Sequence, residues 1–292
     1  MALRRVVRDQ GLPPNSLAQH ELIAARVFQS RLIERPQDQE TNHADSESES
    51  SLPSACRAPL RFGAAPGALN PTFDSEPWAT DQGEDAAGLS TPLHEARLAA
   101  VIHALLASGA RSVLDLGCGE GVLMAKLAAQ AQFGRIVGID VSVAALDAAR
   151  EALHLDPLAP PGRVQVVHAS FTDVDPGLRG FDAAVMLETI EHVDPGRLSL
   201  VERAVFGCYR PRIVLITTPN QEYNVVHGMN PGAFRHPDHR FEWDRPKFRR
   251  WACGLAARHA YSVAFNDIGE CDPTRGASTQ MACFTLDAGS MA

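Results

Sequence analysis

From residue 89 onward, short and almost unbroken apolar runs alternate with segments whose apolar residues recur every three or four positions. The first such segment is a helix: Thr91 is its cap, Pro92 takes its first turn, and Leu93, Ala96, Ala100, Val101, Ala104 and Leu105 share one face until Gly109. Strands are predicted over Arg111–Leu116, Arg135–Asp140, Val164–Ala169, Phe181–Leu187 and Arg212–Thr218. Between them come helices over Val122–Gln130, Val143–His154 and, capped by Asp194, Pro195–Tyr209. After Asp244 and Pro246, the spacing of Phe248, Trp251, Ala252 and Leu255 marks one more helix. Two last strands, near Ser262–Ile268 and Gln280–Leu286, form an antiparallel hairpin around a loop holding Pro273 and Gly276. Apolar strands alternating with amphipathic helices predict an α/β fold. Its sheet is mostly parallel and covered on both faces, with ligands at the carboxyl ends of the strands.

The pattern fails before that domain. Residues 1–33 offer one helix, begun by a capping box of Ser16 and Gln19 and lined by Leu17, Ile23 and Val27. Residues 34–88 are first rich in Gln, Glu, Asp and Ser and then in Pro, Gly and Ala, a linker that reads as disordered and carries isolated Phe62, Phe73 and Trp78. The domain is assigned to residues 89–287 and a tail to 288–292.

Composition narrows the chemistry. The 292 residues are 45% hydrophobic and 21% charged, enough for a sizeable core. No apolar run reaches the roughly 18 residues of a membrane span, and the first residues lack the apolar stretch of a secretory signal. Six cysteines without a CxxC pair point to a reducing compartment, and the expected location is cytoplasmic. A net charge of −8 argues against broad non-specific nucleic-acid binding and leaves room for a local basic patch.

Two constellations carry the candidate chemistry. Asp115-Leu-Gly117-Cys-Gly119-Glu-Gly121 follows the first strand and opens a helix, a turn that lets backbone approach a ligand closely. Its third glycine comes one residue too early for a dinucleotide fingerprint, and Asp140 ends the second strand where an acid can bind a ribose diol. The second constellation is Glu188-Thr-Ile-Glu191-His192. On one helical turn these three side chains share a face, and two carboxylates about 5 Å apart repel by roughly 3 kcal/mol at an effective dielectric of about 20 unless a cation sits between them. A solvated, acidic first turn of a helix is the plainer alternative.

Asp115, the glycines and Asp140 in this order resemble the Rossmann-like S-adenosylmethionine-dependent methyltransferases. The resemblance implies a mostly parallel seven-stranded sheet with a C-terminal antiparallel hairpin. It also implies that Asp115, Gly117, Gly119 and Gly121 hold the methionine end of the cofactor, Asp140 the ribose, and Ser170 and Phe171 the adenine. Glu191-His192 is shared with ubiquinone-pathway and other small-molecule O-methyltransferases, which keeps a small hydroxylated acceptor as an alternative. Thr218-Pro-Asn220, Asn224 and Phe234-Arg-His-Pro-Asp-His239-Arg-Phe-Glu-Trp243 resemble the Hen-type small-RNA 3′-terminal ribose 2′-O-methyltransferases.

That second resemblance implies a divalent cation, Mg²⁺ or Mn²⁺, on Glu188, Glu191, His192 and His239, which are also the catalytic residues. The substrate it implies is an RNA 3′ end with free 2′-OH and 3′-OH, with RNA-repair or RNA-silencing proteins as the partners of such enzymes. The two hydroxyls would chelate the ion, the 2′-oxygen would attack the sulfonium methyl, and His192, His239 or the neighbouring His236 would take the proton. Arg97, Arg235 and Arg240 are candidate phosphate contacts, with Phe241 and Trp243 as stacking partners for a base. A non-catalytic RNA-binding module is the third reading, and the intact Asp115, Gly117, Gly119 and Asp140 speak against it.

Overall fold

A computed structural model describes residues 91–287 except 157 and 159. The helix expected within residues 1–33, the linker at 34–88 and the tail at 288–292 lie outside the described residues. The chain order is α1 (Pro92–Ala107), β1 (Ser112–Leu116), α2 (Val122–Ala128), β2 (Arg135–Asp140), α3 (Val143–Ala152), β3 (Val164–His168), β4 (Ala183–Leu187), α4 (Leu198–Val201), β5 (Ile213–Pro219), α5 (Arg245–His259), β6 (Tyr261–Asp272) and β7 (Gly276–Leu286). One seven-stranded sheet runs in the order β3-β2-β1-β4-β5-β7-β6. All its pairings are parallel except those of β7 with β5 and β6.

The helices begin where side chains can satisfy their first amides. Thr91 accepts from His94 N, Ser142 from Ala145 N and Asp244 from Lys247 N, and Pro follows directly in the first turn of α1 and α5. Alternate strand residues then feed two cores. Leu114, Leu116, Val137 and Ile139 pack with Phe206, Phe248 and Phe284 on one face, whereas Val113 and Ile136 pack with Leu98, Val101, Met124 and Leu146 on the other. Each fully buried Leu or Phe contributes about 1.5–3 kcal/mol, so both layers hold the sheet between helices.

Three expectations change. The helix expected over Pro195–Tyr209 is a 3-10 turn (Pro195–Arg197), one turn of α-helix and then a π-helical stretch, Glu202–Tyr209, closed by Arg210 N on Val205 O. Asp194 makes no capping hydrogen bond with its side chain. The hairpin strands are also longer than expected, because cross-strand pairing carries β6 through an irregularity between Ile268 and Cys271 and makes Gly276 the first residue of β7.

β1 pairs with both β2 and β4, which places the reversal of strand order at the carboxyl ends of β1 and β4. Ligands bind at such a crevice in open α/β sheets. Asp115 lies on one side of it and Glu188 on the other.

Candidate active site

Asp115 is buried at the end of β1, and the backbone beyond it takes positive φ at Gly117 (84°), Gly119 (51°) and Gly121 (82°). Gly117 is also sterically required, because a Cβ there would meet Thr189 Cγ2 at 2.5 Å. Asp140 fastens the turn: Gly119 N donates to its Oδ2 at 3.0 Å and Ser142 N to its Oδ1 at 2.8 Å. A cavity of about 340 Å³ opens beside these residues, lined among others by His94, Leu98, Asp115, Gly117, Cys118 and Glu188. Asp140, Ser170 and Phe171 lie beyond its lining; Ser170 Oγ bonds with Thr172 Oγ1 at 2.7 Å, and Phe171 packs against the core.

Burial, reinforced by the charge of Asp140, pushes the Asp115 carboxyl up to about 7, and its Oδ2 has no hydrogen-bond partner. A buried oxygen of this kind is suited to a cationic donor such as the ammonium group of an amino acid. The cavity therefore fits the methionine end of S-adenosylmethionine.

Across the crevice the segment after β4 is not the helical face that its spacing suggested. Glu188 adopts φ 49°, a left-handed conformation that ends the strand, and only Ile190–His192 form a 3-10 turn. The two carboxylates consequently take different partners. Glu188 Oε2 meets Arg97 Nη2 of α1 at 2.9 Å, whereas Glu191, 0% exposed, accepts from Thr218 Oγ1 at 3.1 Å through Oε2. Its other oxygen, Oε1, is buried without a hydrogen-bond partner. Desolvation, followed by the charge of Glu188, holds the Glu191 carboxyl well above the usual carboxylate range. Such an arrangement favours a bound cation or proton.

Arg240 N donates to Glu191 O at 2.7 Å and so ties the second histidine segment to the first. His192, His236 and His239 come together there, with ligand atoms within 4.8 Å of one another, and this cluster contains neither glutamate. Desolvation and then the neighbouring His239 and His236 lower the His192 pKa, which favours the neutral ring over the imidazolium. His239 is oriented by Glu242, whose Oε1 lies 2.6 Å from Nδ1. Burial alone would raise the Glu242 pKa, but hydrogen bonds from His239, Asn224 and the Arg235 amide, with the Arg235 charge, hold it below the ordinary range. His236 Nδ1 accepts from Asp238 N at 3.1 Å, an arrangement that puts the proton of a neutral ring on Nε2. Three imidazoles whose ligand atoms lie this close together are a donor set that fits a divalent transition ion.

The predicted RNA contacts divide. Arg97 is 2% exposed and its Nε bonds with Thr279 Oγ1 at 2.8 Å, while the buried Arg235 donates to Asn224, Ser278 and Asn220. Both are committed within the fold, where a phosphate contact was expected. Phe241 and Trp243 are likewise core residues, stacked at a centroid distance of 4.2 Å, and do not offer their faces to a base. Arg240 does face solvent, with Nε 3.9 Å from Asp194 Oδ1. Sequence reasoning missed the Arg97–Glu188 pair and the support that Glu242 gives His239. Burial is what separates these residues from ordinary surface charges, and the sequence carried no local signal of it.

Residues 113–212 match the family model of a methyltransferase domain. The small RNA 2′-O-methyltransferase of Gallus gallus is 36% identical over 170 residues, which cover 54% of this chain and 44% of that protein. Among solved structures, the methyltransferase domain of bacterial CtHen1 is 40% identical at a TM-score of 0.60, covering 66% of this chain and 100% of that one. The small RNA methyltransferase HEN1 is 30% identical at a TM-score of 0.62, covering 69% and 27% respectively. The chain spans 44% and 50% of the length of two curated relatives that it matches, from Gallus gallus and Xenopus tropicalis.

Proposed function

This chain belongs to the Hen1 family of methyltransferase domains, and from that premise we propose that it transfers a methyl group from S-adenosylmethionine to the 2′-OH of the 3′-terminal ribose of an RNA. The observation that carries the reading is the continuity of one turn. Glu188 lines the cofactor cavity, and four residues on, at the end of the 3-10 turn, His192 joins the cluster completed by His236 and His239. Methyl donor and hydroxyl acceptor thereby share one crevice.

Asp115 and the glycine turn hold the amino-acid end of the donor, and Asp140 stands beside the turn for the ribose. S-adenosylmethionine supplies a sulfonium methyl open to displacement. Of the four residues expected to hold a divalent cation, His192 and His239 stand in the cluster with His236 as the third imidazole, whereas Glu191 and Glu188 would have to turn toward it, Glu188 by leaving Arg97. Nitrogen donors favour Mn²⁺ over Mg²⁺, which prefers all-oxygen surroundings. A cation bound there would supply positive charge beside the terminal hydroxyls and would make the 2′-OH more acidic.

The chain's own residues then manage position and proton. As the new C–O bond forms, the S–CH₃ bond breaks and S-adenosylhomocysteine leaves; the hydroxyl proton passes to an imidazole nitrogen that holds no cation. His236 can serve at Nε2 only after giving up its hydrogen bond from Asp238 N. Arg240, on the solvent side of the cluster, meets the phosphate of the terminal nucleotide. The chain's partners would be RNA-repair or RNA-silencing proteins, the class that the family resemblance implies.

The discriminating substrate is an RNA whose last ribose lacks only the 3′-OH. Loss of transfer to that end supports paired recognition of the two hydroxyls; turnover equal to the normal end contradicts it.

A further inference from the structure

We propose that Glu242 is the positioning residue of His239, fixing it as the Nδ1–H tautomer so that Nε2 and its lone pair point into the histidine cluster. The inference rests on the reading of that cluster as a cation site. Glu242 is buried, and its two oxygens collect three N–H donors: His239 Nδ1 and Arg235 N on Oε1, each at 2.6 Å, and Asn224 Nδ2 on Oε2, also at 2.6 Å. Only an acceptor suits that position. The neutral imidazole must carry its proton on Nδ1, which leaves Nε2 as its one available lone pair.

Glu242 cannot turn away to accept another partner, because the residues that hold it are themselves held. Asn224 is oriented by Arg235, whose Nε donates to Oδ1 at 2.7 Å and so turns Nδ2 toward Glu242. The Arg235 guanidinium is anchored in turn on Ser278 Oγ of β7 at 2.9 Å and on Asn220 O beyond β5 at 2.8 Å. A hydrogen-bonded path therefore runs from the antiparallel edge of the sheet to one ring nitrogen. Neither His192 nor His236 has a buried carboxylate hydrogen-bonded to it: the first interacts with the Asp238 backbone, and the second accepts from Asp238 N and lies 3.9 Å from the exposed Asp238 carboxylate. His239 is thus the imidazole whose orientation is built in before any ligand arrives, and Arg235, which resembled a phosphate contact, serves that orientation.

The test has two readouts on the full chain. In metal-free protein labelled with ¹⁵N-histidine, long-range proton–nitrogen spectra should show His239 as the Nδ1–H tautomer. In Glu242→Gln, calorimetric titration should show Mn²⁺ affinity about 10–100-fold weaker than wild type, with S-adenosylmethionine affinity unchanged as the measure of an intact fold. An Nε2–H tautomer at His239 in a wild-type chain that binds Mn²⁺ would overturn this inference alone, as would wild-type Mn²⁺ affinity in Glu242→Gln. A wild-type chain that binds no Mn²⁺ would overturn the cation reading and the inference with it. The tautomer measurement needs no variant and decides the matter even if Glu242→Gln does not fold.

Discussion

Arg97 of α1 reaches Glu188 at the end of β4 across 2.9 Å, closing an ion pair over the edge of the cofactor cavity. Arg97 is almost wholly buried and is steadied by Thr279, so the pair joins the first helix of the domain to the crevice. Removing the guanidinium leaves Glu188 beside a buried hole. Arg97→Ala is expected to destabilise the protein by about 3 kcal/mol, the scale of a broken buried pair, and to weaken S-adenosylmethionine binding. Urea unfolding checks the first part; a loss below about 1 kcal/mol, the scale of an exposed pair, would show that the contact is peripheral.

The glycine turn separates two effects that are usually combined. Gly119 has positive φ, and a Cβ placed on it would meet no atom within 4 Å, so Gly119→Ala should cost only the left-handed penalty of about 1–2 kcal/mol. Gly117→Ala adds the collision with Thr189 and should reduce cofactor affinity at least about tenfold, the equivalent of roughly 1.4 kcal/mol. Equal effects of the two substitutions on cofactor titrations would contradict the packing described for Thr189.

If Asp115 holds the ammonium group as proposed, cofactor binding should depend on pH. Its folded pKa of about 7 lies above the ordinary 3.8, so its contribution to stability is present in full below 3.8 and is lost as the pH rises through 7. Cofactor-free protein should therefore lose stability over this window relative to Asp115→Asn. A cationic ligand prefers the ionised carboxyl, so affinity for S-adenosylmethionine should rise about tenfold per pH unit below the pKa and level off above it. Calorimetry from acidic to mildly basic pH checks both signs; an affinity independent of pH would place the ammonium elsewhere.

Charge and aromatic residues in the second histidine segment have different roles. Phe241→Ala should cost about 3–5 kcal/mol of stability because the ring belongs to the core. Arg240→Ala should leave unfolding unchanged and weaken RNA binding, lowering the slope of log affinity against log salt by about one. RNA titrations at several salt concentrations, beside melts of both variants, distinguish the two roles.

Most of the fold was legible because its signals are local. Thr91 and Asp244 start helices through bonds to amides three residues away, and Val113 and Leu114 reach opposite cores simply by strand alternation. The site was legible in its residue types and less so in its shape. Glu188, Glu191 and His192 have helical spacing, but the left-handed backbone at Glu188 sends its side chain to Arg97 and leaves Glu191 on Thr218. Arg235 resembled a free cation because its partners Asn220 and Ser278 are brought to it only by tertiary folding. The extra length of β6 came likewise from pairing with β7, which periodicity within one segment does not reveal.

We propose methyl transfer to a terminal 2′-OH in a site that needs a divalent cation. The measurement that tests it most directly uses labelled S-adenosylmethionine and a short single-stranded RNA with free terminal hydroxyls. Its 2′-deoxy-terminated twin is assayed alongside, each RNA with Mn²⁺, Mg²⁺ or chelator. Label is expected on the first RNA alone, greatest with Mn²⁺ and absent with chelator. Equal label on both RNAs, or transfer undiminished by chelator, would contradict the proposal.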